Sequence, residues 1–159
     1  MYLHPGLFIK STEALNGTVF EKATIFITEY NVYGAMGFVI NKTFGRSLHE
    51  LEEFKHSPYF PLYNGGPVDG EHLFFVHQRP DLIEAGTAIG NGVYVGGNFS
   101  QAVTAINNGS LTTNDIKIFV GYCGWDAGEL EAEIVEGSWV LHLFNPDHHA
   151  PLLFDSKIL

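Results

Sequence analysis

With 159 residues, 45% of them apolar and 16% charged, the chain fits one domain spanning residues 1–159, which buries roughly 70% of the surface its unfolded form exposes. Its net charge of −10 argues against direct nucleic-acid binding, which needs clustered Lys and Arg. Here Lys10, Lys22, Lys42, Arg46, Lys55, Arg79, Lys117 and Lys157 stand singly. The lone Cys123 excludes an intramolecular disulfide, and the uncharged stretch Ile118–Trp125 falls far short of the ~20 apolar residues that span a bilayer.

In chain order, Met1-Tyr2-Leu3-His4-Pro5 carries neither a basic nor an apolar leader segment, so a cytoplasmic location is expected. Strands are predicted at Leu7–Ile9, Ala23–Glu29 and Ala35–Ile40, where β-branched and aromatic residues run between Gly, Asn or Pro. The last two are spaced as a hairpin around Tyr30-Asn31-Val32-Tyr33-Gly34. Ser47 with Glu50 three residues later forms a capping box. It opens a first helix that carries Leu48, Leu51 and Phe54 on one side and stops before Pro58.

Further strands are expected at Leu73–His77, Ile83–Ile89 and Val93–Val95, the last two joined through the hairpin signal Asn91-Gly92. A second helix runs from Asn98 to Asn108, with Phe99, Val103 and Ile106 on one face, Gln101 at the box position and Gly109 as terminator. After a strand at Ile116–Tyr122, a third helix starts at Asp126 with Glu129 at the box position. It buries Ala127, Leu130 and Ile134, and ends at Gly137 ahead of a strand at Trp139–Phe144. Hairpins and helical crossovers together predict a mixed α/β (α+β-like) domain, with helices packed on a mixed sheet.

Several residues invite chemistry, and each has a plainer reading beside it. Tyr63-Asn64-Gly65-Gly66-Pro67 and Tyr94-Val95-Gly96-Gly97-Asn98 are either tight turns or, at the second, an anion site at a helix start. The eight histidines lack ligand spacing, so no metal is expected; Asp147-His148-His149 reads as a solvated loop before it reads as a metal site. Cys123 is either a small buried residue or a reactive thiol at a strand end. Asp126, Glu129, Glu133 and Glu136 share one stripe of the third helix, with Glu131 beside it. That stripe is a solvated face or an acid/base pair, flanked by Trp125 and Trp139 as core anchors or cleft wall. No Gly-x-Ser-x-Gly elbow precedes a helix, so a hydrolase reading has no nucleophile to name.

Three motifs in order, Gly34-Ala35-Met36-Gly37-Phe38-Val39-Ile40-Asn41-Lys42, Gly65-Gly66-Pro67-Val68 and Gly121-Tyr122-Cys123-Gly124-Trp125 with Gly128-Glu129-Leu130-Glu131-Ala132-Glu133-Ile134, resemble the AlgH family of bacterial proteins. The likeness extends from about Gly6 to Leu152-Leu153-Phe154-Asp155. It implies a cytoplasmic protein whose mixed sheet is partly curled into a small barrel flanked by helices, a proposed role in transcriptional regulation, and no cofactor. The chain departs from the family pattern in having Asn41-Lys42-Thr43 where Asn-Arg-Pro is usual, which removes a bidentate guanidinium. It also has Cys123 in place of another small residue and Glu129 in place of Gln.

The expected function is a regulatory or interaction module that binds a protein partner or a small ligand without enzymatic activity. Its candidate cleft is formed by Asn41, Lys42, Gly65, Gly66, Trp125, Glu131 and Glu133. The alternatives are a small-molecule enzyme using Glu131 or Glu133 near Trp125 and, disfavoured by charge, a DNA-binding regulator.

Overall fold

Ten strands and two α-helices account for most of residues 3–142, which, with residues 153 and 154, are the part of the chain that the computed structural model describes. The strands are β1 (Phe8–Ser11), β2 (Thr24–Asn31), β3 (Gly34–Val39), β4 (Thr43–Ser47), β5 (Pro61–Asn64), β6 (Val68–His77), β7 (Thr87–Gly90), β8 (Val93–Val95), β9 (Ile116–Asp126) and β10 (Trp139–His142). The helices are α1 (Phe99–Asn107) and α2 (Glu129–Val135).

The main path of the sheet is β10-β1-β2-β3-β9-β6-β8-β7, and β5, itself paired with β4, joins β9. Among the described residues every ladder is antiparallel except β5 with β9, so the mixed sheet is present with a single parallel pair. The barrel curl implied by the family resemblance is not found, because β7 and β10, the two ends of the path, form no ladder with each other among the described residues. Closure demands a continuous staggered ladder, and β7 and β8 have only four and three residues with which to supply one.

Both sequence-predicted hairpins form. β2 pairs with β3 around Val32-Tyr33, and β7 pairs with β8 around Asn91-Gly92, whose φ angles of 56° and 78° are those of a tight hairpin turn. Ile83–Ile89 is not one strand. Ile83 lies in a bend whose N–H bonds to the Arg79 carbonyl at 3.0 Å, Ala85 takes φ 65°, and only Thr87 onward is extended. This bend packs on Gly96-Gly97: the Asn98 N–H donates to the Glu84 carbonyl at 2.9 Å, and the Gln101 side chain accepts from the Glu84 N–H at 2.8 Å instead of closing the capping box.

The expected first helix is two 3₁₀ turns, Leu48–Glu50 and Glu52–Phe54, separated by an extended Leu51. The capping box at Ser47 forms, with the Glu50 carboxylate accepting the Ser47 N–H at 3.0 Å, but the Ser47 hydroxyl also bonds both backbone groups of Phe60. That cross-link returns the chain into β5 before an α-helix can propagate. The third helix starts later than its capping signal suggested. β9 continues through Asp126, whose N–H still donates to Glu129, and the turn at Gly128 (φ 83°) leaves Ala127 exposed. Phe144, and with it the end of the last predicted strand, lies outside the described residues.

Three apolar clusters hold the sheet. One gathers Ile9, Ile25, Ile27, Val39, Trp125, Leu130 and Trp139 beneath α2. A second packs Ala102, Ala105 and Ile106 of α1 onto Leu62, Phe75, Ile116 and Ile118. The third, on the opposite face, stacks Phe38 on Phe119 with centroids 4.5 Å apart and is covered by Val93, Leu153 and Phe154. Full burial of each such ring contributes about 2 to 3 kcal/mol.

Candidate functional site

The three motifs behind the family resemblance meet at one strand junction. Gly65 inserts between β3 and β9: its N–H donates to the Val120 carbonyl at 2.8 Å, and its carbonyl accepts the Val39 N–H at 2.9 Å. A side chain at Gly65 would strike the Gly121 carbonyl, one at Gly66 the Tyr122 backbone, and one at Gly121 the Gly66 carbonyl. The first double glycine is therefore a close backbone crossing, which only residues without Cβ allow. Cys123 sits against it, its thiol donating to the Gly65 carbonyl at 3.4 Å. Burial pushes that thiol up to about 12, so the thiolate needed for reactivity is suppressed.

The polar residues singled out in the sequence divide among separate places. Asn41 extends the β2–β3 pairing with its side chain, whose Oδ1 accepts from the Thr24 N–H and whose Nδ2 donates to the Lys22 carbonyl, both at 2.9 Å. Lys42 reaches the Val19 carbonyl at 3.3 Å and, with Asn64, Gly66 and Pro67, lines a cleft of about 130 Å³. Glu133 accepts both indole N–H groups, from Trp125 at 3.1 Å and from Trp139 at 2.9 Å. The indoles cross edge to face with centroids 6.0 Å apart, so one carboxylate oxygen ties together β9, α2 and β10. Glu131 bonds Tyr30; burial and then the nearby carboxylate raise that phenol above its usual range.

Of the seven candidate residues, Gly65 and Gly66 share the motif junction, Lys42 and Gly66 share the small cleft, and only Trp125 reaches the larger groove. That groove, about 450 Å³, lies where the β2–β3 hairpin meets β9. Gly34, Ala35 and Met36 from the first motif, Val68 from the second, and Tyr122, Gly124 and Trp125 from the third line it. Its carboxylates are Glu29 and Asp126, and among the described residues no Lys or Arg lines it. At the hairpin tip, Val32 and Tyr33 are 81% and 85% exposed. Periodicity places Tyr33 and Asp126 on different elements, so only the strand register, Gly34 against Asp126, brings them together.

Two buried ionisable groups were not singled out. His77 stacks between Phe75 and Tyr94, with Nε2 donating to the Gly96 carbonyl and Nδ1 accepting the Arg79 N–H, so burial holds it neutral below the usual imidazole range. Lys117 is 3% exposed; its ammonium donates to the Leu153 carbonyl at 3.2 Å and lies 4.0 Å from the Tyr63 ring centroid, and burial lowers it to about 8. Its signal was available: Ile116–Tyr122 is apolar at both parities, as in a strand covered on both faces, and a lysine inside such a run must be buried. Among the described residues no three His, Cys, Asp or Glu side chains cluster as metal ligands, and no helix is long and apolar enough to cross a membrane. Asp147-His148-His149 lies outside the described residues.

An open, largely antiparallel sheet with a glycine-packed junction and a motif-lined groove defines a mixed α/β protein of AlgH-like architecture. The AlgH-like family model (DUF179) matches residues 7–155, and the chain belongs to that family. It is 36% identical to a UPF0301 protein of Chlorobium limicola over 137 residues, covering 86% of this chain and 73% of the relative. A UPF0301 protein of Parabacteroides distasonis is 33% identical over 136 residues, covering 84% and 69%. The solution structure of the AlgH protein from Pseudomonas aeruginosa superposes with a TM-score of 0.76 at 27% identity, covering 97% of this chain and 84% of that one. A crystal structure of DIP2367 from Corynebacterium diphtheriae, at 19% identity and a TM-score of 0.73 over 92% and 78% of the two chains, shares the fold.

Proposed function

We propose that the chain is a non-enzymatic interaction module that binds a basic segment of a protein partner across the groove between the β2–β3 hairpin and β9. The observation that carries this reading is the convergence of all three family motifs on that groove, with Tyr33, Tyr122 and Met36 offering apolar and aromatic contact beside Glu29 and Asp126. Aromatic faces and carboxylates together favour Arg or Lys side chains. A net charge of −10 speeds encounter with such a partner and opposes approach to DNA, so a transcription-related role would run through protein contacts in the cytoplasm. Glu133, committed to two indoles, is better suited to holding the groove wall than to moving protons.

The test is affinity capture from a bacterial lysate with the native chain, Tyr33→Ser and Asp126→Lys. A partner recovered by the native chain, lost with either variant and released by salt is expected. Equal recovery by all three proteins overturns the assignment of the groove.

A further inference from the structure

A further concavity lies beside the start of α1, and two interrupted ladders border it. Between the pairs Val68–Tyr122 and Leu73–Val120, β6 advances five residues while β9 advances two; between Thr43–Tyr63 and Ser47–Pro61, β4 advances four against two on β5. Such excursions bend strands away from their partners and re-aim side chains. Here they leave a pocket of about 300 Å³. Its apolar walls are Phe44, Leu51, Phe54, Leu73, Phe99 and Val120. Phe54 and Phe99 meet edge to face at 5.7 Å, while Phe44 remains 37% exposed. The volume is at the lower end for ligand cavities, roughly 300 Å³ and upward, and suits one ring or a short branched chain.

The rim sets the charge of the occupant. Glu53 and Glu71 border the pocket, and among the described residues neither forms a salt bridge. Among the described residues His72 is the one basic group on the rim, and it is already held by Asp69 at 2.6 Å. A carboxylate entering here would meet two like charges, whereas an ammonium would meet two opposite ones. We propose that this pocket binds a small organic cation that joins an aromatic or branched aliphatic group to a primary ammonium. The apolar end lies against Phe44, Phe54 and Phe99, and the ammonium reaches the carboxylates of Glu53 and Glu71. The site is separate from the groove and does not depend on its assignment.

The test uses the full chain with methyl-labelled Leu and Val, titrated at pH 7 with 2-phenylethylammonium, 2-phenylethanol and phenylacetate and followed by NMR. The cation is expected to shift the Leu51, Leu73 and Val120 methyls saturably, with Kd on the order of 1 mM. The alcohol should bind more weakly and phenylacetate weakest, about tenfold or more below the cation. The double variant Glu53→Gln/Glu71→Gln should bring the cation down to the affinity of the alcohol and leave the alcohol unchanged, a pattern that mere loss of structure does not produce. Equal affinity for all three probes, shifts centred on Val68 in the groove, or no saturable shift at about 10 mM each overturns the proposal. Asp126→Lys, which tests the groove, should leave this titration unaltered, so the two assignments fail independently.

Discussion

Lys117→Met removes the ammonium buried against Leu153 while keeping an unbranched side chain of similar length against Tyr63. The fall of this lysine from 10.5 to about 8 corresponds, at roughly 1.4 kcal/mol per factor of ten, to about 3 kcal/mol by which burial disfavours the charged form. Against this, the variant leaves the Leu153 carbonyl without its donor, at a cost of about 1 kcal/mol, so a net gain of about 2 kcal/mol is expected at pH 7. The pH dependence carries the sign. A lysine whose folded value is depressed contributes stability that is complete above 10.5 and lost as pH falls through about 8. The native chain should therefore gain on the variant by about 2 to 3 kcal/mol between pH 7 and pH 10. Cys123, held up at about 12, acts oppositely, its contribution being lost as pH rises from 9 toward 12, but it is common to both proteins and cancels in the difference. Urea unfolding of both proteins at several pH values measures that difference. A variant less stable at pH 7 by an amount that does not change with pH would refute the reasoning, because attraction to Tyr63 and Leu153 would then outweigh desolvation.

Glu133→Leu should cost about 2 to 4 kcal/mol by leaving two buried indole donors unpaired, whereas Glu133→Gln keeps an acceptor and should cost about half as much or less. Tryptophan fluorescence during urea unfolding separates them. Gly66→Ala should cost about 3 kcal/mol or more, since a Cβ there enters the Tyr122 backbone, while Gly109→Ala, also at positive φ but with open space around it, should cost about 1 kcal/mol. Thermal unfolding of the pair tests whether the crossing, rather than φ alone, demands glycine. The Cys123 thiol should resist a disulfide exchange reagent at pH 8 in the native protein and react once urea unfolds it; fast native labelling would contradict its burial.

Local chemistry made part of this architecture legible in the residues alone. The Asn91-Gly92 turn, the Asn98 cap on the Gln101 N–H at 3.1 Å and the alternation around β2 and β3 all depend on neighbours a few positions apart, which any chain carries with it. The capping box at Ser47 shows where this stops: the box forms, yet the same hydroxyl ties the chain to Phe60, thirteen residues on, and the helix never propagates.

Residues distant in sequence decided the rest. The acidic stripe on α2 looks uniform along the chain, but only Glu133 lies where two indoles from different strands converge, and only Glu131 meets Tyr30. Gly65, Gly66 and Gly121 appear as turn residues until the crossing of β3, β5 and β9 turns each into a steric necessity for another. The motifs, the helix caps and the charge balance were written in the linear order of residues, since they rest on composition and short-range geometry. The groove, the carboxylate-rimmed pocket and the buried Lys117 arise only when the sheet assembles, because register and bulges, not spacing along the chain, determine which side chains share a cavity and which lose their water.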